Sequence, residues 1–312
     1  MAQTPGKYET PRPFLKWAGG KRSLLGEILP RLPDAIDTYV EPFLGGGAVF
    51  LALAREHLDP ESPRRIGRAV LADRNPELVN VWTRIKEEPE AVIAAVQALG
   101  TPDADRYYAV RDQEPQEPVA RAGRMLWLNR TCYNGLYRLN RSGQFNVPFG
   151  RYKRPRLVDV DNIRAVSRAL NETRAEIVEA DFRTLQARSD LALGPGAVVY
   201  ADPPYLPHSR TASFTAYDRL PFGMDAHEAL AEWFVALQRL GVGGLLSNNK
   251  TTESVALYRR HGLRYVGVEA RRSINRDPTK RGPVPEVLVY INVTGRLRKA
   301  AARRARRVSS GA

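Results

Sequence analysis

Seven short runs rich in apolar and β-branched residues recur along the chain with helical patterns between them, and this alternation restricts the fold more than any other feature. The runs are TYVEPF (38–43), RAVLAD (68–73), AEIVEAD (175–181), AVVYAD (197–202), GGLLSNN (243–249), RYVGVEA (264–270) and EVLVYIN (286–292). Helical periodicity fills SLLGEILPRL, broken near Pro30, then GAVFLALAREHL, PELVNVWTRIKE, VDNIRAVSRALN and DAHEALAEWFVALQRLG. Strands alternating with helices in this way predict an α/β fold, a mostly parallel sheet covered on both faces. Pro76 suits a first helical turn, with Asp73 or Asn75 as its cap. Four of the first five runs end on an acid or amide: Asp73, Asp181, Asp202 and Asn249. Ligands of open α/β sheets bind beyond the carboxyl ends of the strands, so these side chains are placed to line one site.

The gap between the second and third runs is far longer than an ordinary crossover, which predicts an inserted module over residues 76–158. That segment holds RYYAVRDQ and MLWLNRTCYNGLYRLNRSGQFNVPFGRYKRPR, dense in Arg, Tyr, Asn and Phe. Cations interleaved with aromatic rings are what phosphate contact and base stacking require. The 312 residues carry a net charge of +14. Seven of the cations sit in the acid-free run GRLRKAAARRARRVSS (295–310), within a basic tail, 295–312, expected to be disordered; the body remains basic without it. This balance favours a polyanionic partner. A single cysteine, Cys132, permits no internal disulfide and no cysteine zinc cluster, so no metal is expected. The first residues, MAQTPGKYETPRPFLKW, do not read as a signal segment, and no apolar run is long enough to span a bilayer. A cytoplasmic protein without membrane contact is expected.

The sharpest chemical signal is AVVYADPPY (197–205). An apolar strand delivers Asp202 to the ligand side of the sheet, and Pro203 and Pro204 fix φ while removing two donors. The product is a rigid wall of acceptors. An exocyclic amino group on a base is a poor nucleophile because its lone pair is delocalised. Hydrogen bonds from its two N–H groups to Asp202 and the Pro203 carbonyl favour a pyramidal nitrogen and free the lone pair; Tyr205 is placed to stack on the base. In VEPFLGGGAVFLAL a strand ends near Glu41, and Gly45, Gly46 and Gly47 let a ligand approach the backbone. The spacing is not G-x-G-x-x-G, and AGGKRS is not a phosphate loop. Asp73 suits either ribose hydroxyls or a helix cap, and Asp181 with Phe182 suits an adenine amino group and ring face.

Taken together, FLKWAGGKRSLL, VEPFLGGGAVF, LADRNPELV, LNRTCYNGLYRLNRSGQFNVPFGRYK, ADPPY followed by TASFTAY, and RRSI resemble the Dam-type family of DNA adenine-N6 methyltransferases, in the family's motif order from Phe14 to about Asn292. The resemblance implies a Rossmann-like sheet, mostly parallel with an antiparallel last strand, over residues 1–75 and 159–294. It also implies a mainly helical DNA-recognition domain over 76–158, S-adenosylmethionine as cofactor and double-stranded DNA as partner. Cofactor contacts fall on Trp17, Lys21, Glu41, Gly45, Gly47, Asp73, Asp181, Phe182 and Asp202, and catalysis on Asp202, Pro203, Pro204 and Tyr205. Among the DNA contacts, Tyr133 matches a residue inserted into the base stack and Asn134 one near the extruded adenine. Arg130, Leu136, Arg138, Pro148 and Tyr152 match base and backbone contacts, Arg138 being the one suited to a guanine. The implied target is GATC. Thr131 and Cys132 depart from the family's usual residues.

Other chemistries stay in view. N4-cytosine transfer uses the same amine chemistry, and Asp at position 202 favours adenine without excluding it. A C5-cytosine mechanism needs a nucleophilic cysteine, whereas Cys132 in TCY reads as a packed thiol. A catalytically inactive DNA-binding scaffold would gain nothing from Trp17, Lys21, Asp73 and Asp202. Modification of RNA or of a protein glutamine fits less well, since such relatives generally lack the insertion.

Overall fold

The computed structural model describes residues 10–206, 222–271 and 283–293; TASFTAY, most of RRSI and the basic run after Asn292 lie outside these residues. Seven strands form one sheet: β1 (Ala35–Glu41), β2 (Arg65–Asp73), β3 (Glu176–Glu179), β4 (Ala197–Ala201), β5 (Gly243–Asn249), β6 (Arg264–Arg271) and β7 (Pro283–Ile291). Their order is β3-β2-β1-β4-β5-β7-β6. The pairs among β1 to β5 are parallel, while β7 runs antiparallel between β5 and β6. The expected Rossmann-like sheet with one antiparallel last strand is therefore present. The last strand is inserted rather than added at the edge.

Side chains alternate between the two faces, as a pleated strand requires. Tyr39, Leu71, Val198, Tyr200 and Leu245 join one apolar cluster, and Val40, Val70, Ala72, Val199 and Leu246 join the other. The first cluster is covered by α2 (Ala48–Leu58), α3 (Pro76–Glu87), α4 (Pro89–Ala98), α5 (Ala104–Asp112), α6 (Pro118–Thr131) and α7 (Val160–Glu172). The second is covered by α9 (Met224–Arg239) and α10 (Thr252–Arg260), with the short α8 (Phe182–Gln186). Among the described residues before β1, the short α1 (Leu25–Ile28) is flanked by 3-10 turns, the second starting beside Pro30.

Helix α3 begins as its sequence predicts. Pro76 occupies the first turn, and the Asn75 side chain accepts from the Glu77 and Leu78 amides. Asn75 is thus the cap, which frees Asp73 for another task. The helix buries Leu78, Val81, Trp82 and Ile85. Trp82 is fully buried, meets Phe14 edge to face at 4.6 Å, and donates its indole N–H to the Gly45 carbonyl at 3.1 Å. Trp82→Ala is expected to lower the unfolding free energy by about 3–5 kcal/mol, measured by urea denaturation; a loss below about 1 kcal/mol would show that the site collapses around the smaller side chain.

Candidate active site

The strand order reverses direction between β1 and β4, so the connections from these neighbours leave on opposite sides of the sheet and open a crevice at their carboxyl ends. Glu41 ends β1, and Asp202 follows β4, whose five residues are all buried. Asp202 Oδ2 lies 2.8 Å from Lys21 Nζ, and the two side chains are 18% and 6% exposed. Asp202 Oδ1 is buried and accepts no hydrogen bond among the described residues. Burial pushes the Asp202 carboxyl up to about 6, the Lys21 cation opposes the shift, and the Glu286 carboxylate adds to it. Lys21 also donates to the Gly19 carbonyl at 2.6 Å and stands 4.7 Å over the Tyr205 ring. Tyr205 in turn donates its hydroxyl to Glu286 Oε2 at 2.7 Å.

Glu41 is buried, and its Oε2 accepts from the Tyr39 hydroxyl at 2.7 Å and from the Phe50 amide at 3.2 Å. The second bond satisfies one of the first-turn amides that α2 leaves open. Burial raises this carboxyl to about 8, against the lowering effect of Tyr39. Between β1 and α2 the chain turns at Gly45 and Gly47, with φ of 48° and 61°. A Cβ at Gly45 would meet the Trp17 ring at 2.9 Å, and one at Gly47 would meet Trp82 at 2.5 Å. Asp73 holds the same turn, accepting from the Gly45 amide at 2.9 Å and from the Asn75 amide at 2.9 Å. Asp181 caps α8 through the Arg183 amide and lies 3.5 Å from Arg74. Phe182 is fully buried among Phe43, Phe222 and Trp233. The structure thus gathers Trp17, Lys21, Glu41, Gly45, Gly47, Asp73 and Asp202 around the ends of β1, β2 and β4, with Asp181 beside Asp73 at the end of β3.

Residues 132–152 form a loop closed by two antiparallel bridges, Cys132 with Phe149 and Leu139 with Phe145. Tyr133 (44% exposed), Asn134, Leu136 (38%), Arg138 and Pro148 lie on its outer side, while Gly135, Tyr137, Phe145 and Val147 point inward. Asn134 takes a left-handed conformation, φ 54°, and its amide donates to the Tyr152 hydroxyl at 3.0 Å. Arg138 is already oriented: Nε donates to Asn146 Oδ1 at 2.7 Å and Nη2 to the Asn146 carbonyl at 2.9 Å. Arg130 stands apart from that outer side, half-buried, with its guanidinium on the Phe14 carbonyl. Cys132 is buried with its thiol pushed up to about 11 by desolvation, the opposite of an activated nucleophile.

The sequence reading missed Glu286 and Asn129, and it placed Asn249 at a strand end without its partner. Glu286 had no motif around it, though an acid inside an apolar run is itself a signal. Asn129, in MLWLNR, is buried; its amide accepts from the Lys16 amide at 2.8 Å and donates to the carbonyls of Lys16 at 2.9 Å and Gly135 at 3.2 Å. Asn249 donates to the Leu206 carbonyl at 3.0 Å and fixes the chain beyond Tyr205.

Residues 17–274 match the model of the D12 class N6 adenine-specific DNA methyltransferase family. The chain belongs to that family. Such an enzyme methylates adenine in DNA, and S-adenosylmethionine is its methyl donor. Curated methyltransferases match along most of the chain. The Type II methyltransferase M1.LlaDCHI of Lactococcus lactis subsp. cremoris is 35% identical over 286 residues, covering 89% of this chain and 94% of its own. The Type II methyltransferase M.MjaIII of Methanocaldococcus jannaschii is 34% identical, over 86% and 95%. The DNA adenine methylase of Serratia marcescens is 37% identical, over 89% and 97%. Among the described residues of this D12-class methyltransferase no cluster of His, Cys, Asp and Glu is arranged to hold a metal ion, and no helix is long and apolar enough to cross a membrane.

Glu41 gives a pH test of this geometry. An unfolded chain releases that proton near its ordinary 4.5, whereas the folded chain keeps it to about 8. The unfolded state therefore binds fewer protons across this window, and stability falls as pH rises through it, at most by about 1.4 kcal/mol per pH unit. Relative to Glu41→Gln, the native chain is expected to lose stability as pH rises between about 5 and 8; parallel curves of urea midpoint against pH would mean that Glu41 is ionised in the fold.

Proposed function

We propose that this methyltransferase acts on adenine N6 in double-stranded DNA, within GATC, by extruding the base and attacking the donor methyl directly. The observation that carries the reading is Asp202 Oδ1, a buried carboxylate oxygen at the end of the central strand that accepts no hydrogen bond among the described residues. A buried acceptor left open costs free energy unless a donor arrives. An adenine amino group is such a donor: one N–H goes to Asp202 Oδ1 and the other to the Pro203 carbonyl, so the nitrogen pyramidalises and its lone pair turns outward. S-adenosylmethionine, when bound, supplies an electrophilic methyl on a sulfonium, and the electron pair of the broken bond stays with sulfur. Asp202, ionised near neutral pH, is placed to take the proton that the alkylated nitrogen sheds, and no covalent enzyme adduct is required. Tyr205 stacks on the base, and the prolines hold the acceptors within the few tenths of an ångström that orientation demands.

The residues around the crevice fit the donor. The turn at Gly45 and Gly47 exposes backbone, Lys21 suits a carboxylate, Glu41 and Trp17 line the pocket, and the acidic ends of β2 and β3, Asp73 and Asp181, suit ribose hydroxyls and an adenine amino group. Phe182 gives the pocket its apolar backing. We assign catalysis to residues 1–75 and 159–294 and DNA recognition to 76–158, working on DNA in the cytoplasm. Tyr133, Asn134, Leu136, Arg138 and Pro148, exposed along one side of the loop, form the DNA-facing set, supported by Arg130 and Tyr152. GATC rests on the resemblance of this loop to the family's reader segment.

Asp202→Ala is expected to abolish methyl transfer while leaving DNA affinity within about tenfold, because it removes the amine's acceptor and no phosphate contact. A labelled-methyl assay with unmethylated duplex DNA decides this, and turnover at the native rate would refute the role. Arg138→Ala is expected to relax discrimination at one guanine by about 1–3 kcal/mol. Methylation-sensitive sequencing of DNA from expressing cells reports both the site and its relaxation; equal loss on all sequences would make Arg138 a phosphate contact.

A further inference from the structure

Glu286 has no part in the roles assigned above, yet it reaches into the site. It lies on β7 in register with Asn249 of β5 and Val268 of β6, and it is 5% exposed. The residues that follow it on the strand, Val287, Leu288 and Val289, are fully buried. Burying a carboxylate between two neighbouring strands works against folding, so packing alone does not explain an acid here. What Glu286 does hold is the Tyr205 hydroxyl, at 2.7 Å. The backbone before Tyr205 is stiffened by Pro203 and Pro204, and the chain after it is tied by the Leu206 carbonyl to Asn249. The remaining freedom of Tyr205 is rotation of its side chain. That rotation is stopped at the hydroxyl by Glu286 and resisted at the ring face by Lys21, 4.7 Å away, the same cation that holds Asp202 Oδ2.

We infer that Glu286 is a positioning residue for methyl transfer: by accepting the Tyr205 hydroxyl hydrogen bond it locks the tyrosine ring beside the open oxygen of Asp202, where the target adenine is held. The inference rests on the reading that Asp202 and Tyr205 receive that base. Glu286 acts through Tyr205 and touches no reacting atom, so its removal slows turnover and spares binding.

The test measures kcat and KM of the full chain with labelled S-adenosylmethionine and unmethylated duplex DNA, for Glu286→Ala, Glu286→Gln, Tyr205→Phe and the double variant Tyr205→Phe/Glu286→Ala. Glu286→Ala is expected to lower kcat roughly ten- to hundredfold, with both KM values within about threefold. Glu286→Gln keeps an acceptor oxygen and recovers most of that loss. Tyr205→Phe is as slow as Glu286→Ala, and the double variant is no slower than the slower single one, because both changes cut the same bond. Native kcat in Glu286→Ala, multiplied losses in the double variant, or a Gln variant as slow as the Ala variant would each overturn the inference. Where Glu286→Ala does not fold, Tyr205→Phe decides alone, and a native rate for it overturns the proposal. Asp202→Ala separates the two levels: full turnover there refutes the site reading itself, whereas a dead Asp202→Ala beside an unimpaired Glu286→Ala refutes only the part given to Glu286.

Discussion

An ionised carboxylate at the end of a fully buried central strand needs a cation beside it, and Lys21 supplies one to Asp202. The place of that cation depends in turn on a segment far from the strand. Lys21 is steadied by the Gly19 carbonyl, and Trp17 lies against the turn at Gly45, near enough that no side chain fits there. The backbone of Lys16 is clasped on both sides by the Asn129 amide, which also reaches Gly135. One buried side chain at the end of α6 thus joins the stretch carrying Lys21 to the loop carrying Tyr133, Asn134 and Arg138. The exposed face of that loop and the cation beside Asp202 share a mechanical support.

Two acids at adjacent strand ends are pushed to different states by their surroundings. Glu41, raised to about 8 by burial, stays neutral near pH 7 and serves as an internal hydrogen-bonding group between β1 and α2. Asp202, raised only to about 6 because Lys21 opposes its burial, is mostly charged at the same pH. Proximity alone would make a pair of carboxylates repel. Here the pair is divided into one structural acid and one open acceptor, which is how environment sorts chemically identical groups into separate roles.

Much of this was legible in the sequence wherever the signal was local. Run 243–249 and helix 76–87 have the bounds their patterns predict, and the Asp, Pro and Tyr residues after β4 stand at the crevice as the strand rule requires. Strand ends were less readable. β7 starts at Pro283, before EVLVYIN, because residues 283–285 pair with β6 beyond Glu286, the last β5 partner, and the Pro285 carbonyl still accepts from the Lys250 amide. β3 stops at Glu179 because Asp181 turns away to cap α8. Glu286 and Asn129 were hidden for a different reason. Each bonds to residues remote or unpatterned in sequence, Glu286 to Tyr205 across 81 positions, and no periodicity encodes such a meeting.

The inserted strand has a consequence for how the protein is made. β7 follows β5 and β6 in the chain and pairs with both, so the acceptor of the Tyr205 hydroxyl is synthesised after every other side chain described around the crevice. A nascent chain that has emerged through β5 already carries Asp202, Lys21 and the loop 132–152, but the β7 side of β5 is bare and the Tyr205 hydroxyl lacks its Glu286 acceptor. Pairings so distant along the chain form slowly. A product that stops short of β7 therefore keeps the exposed face of the loop but leaves the Tyr205 hydroxyl without its Glu286 acceptor.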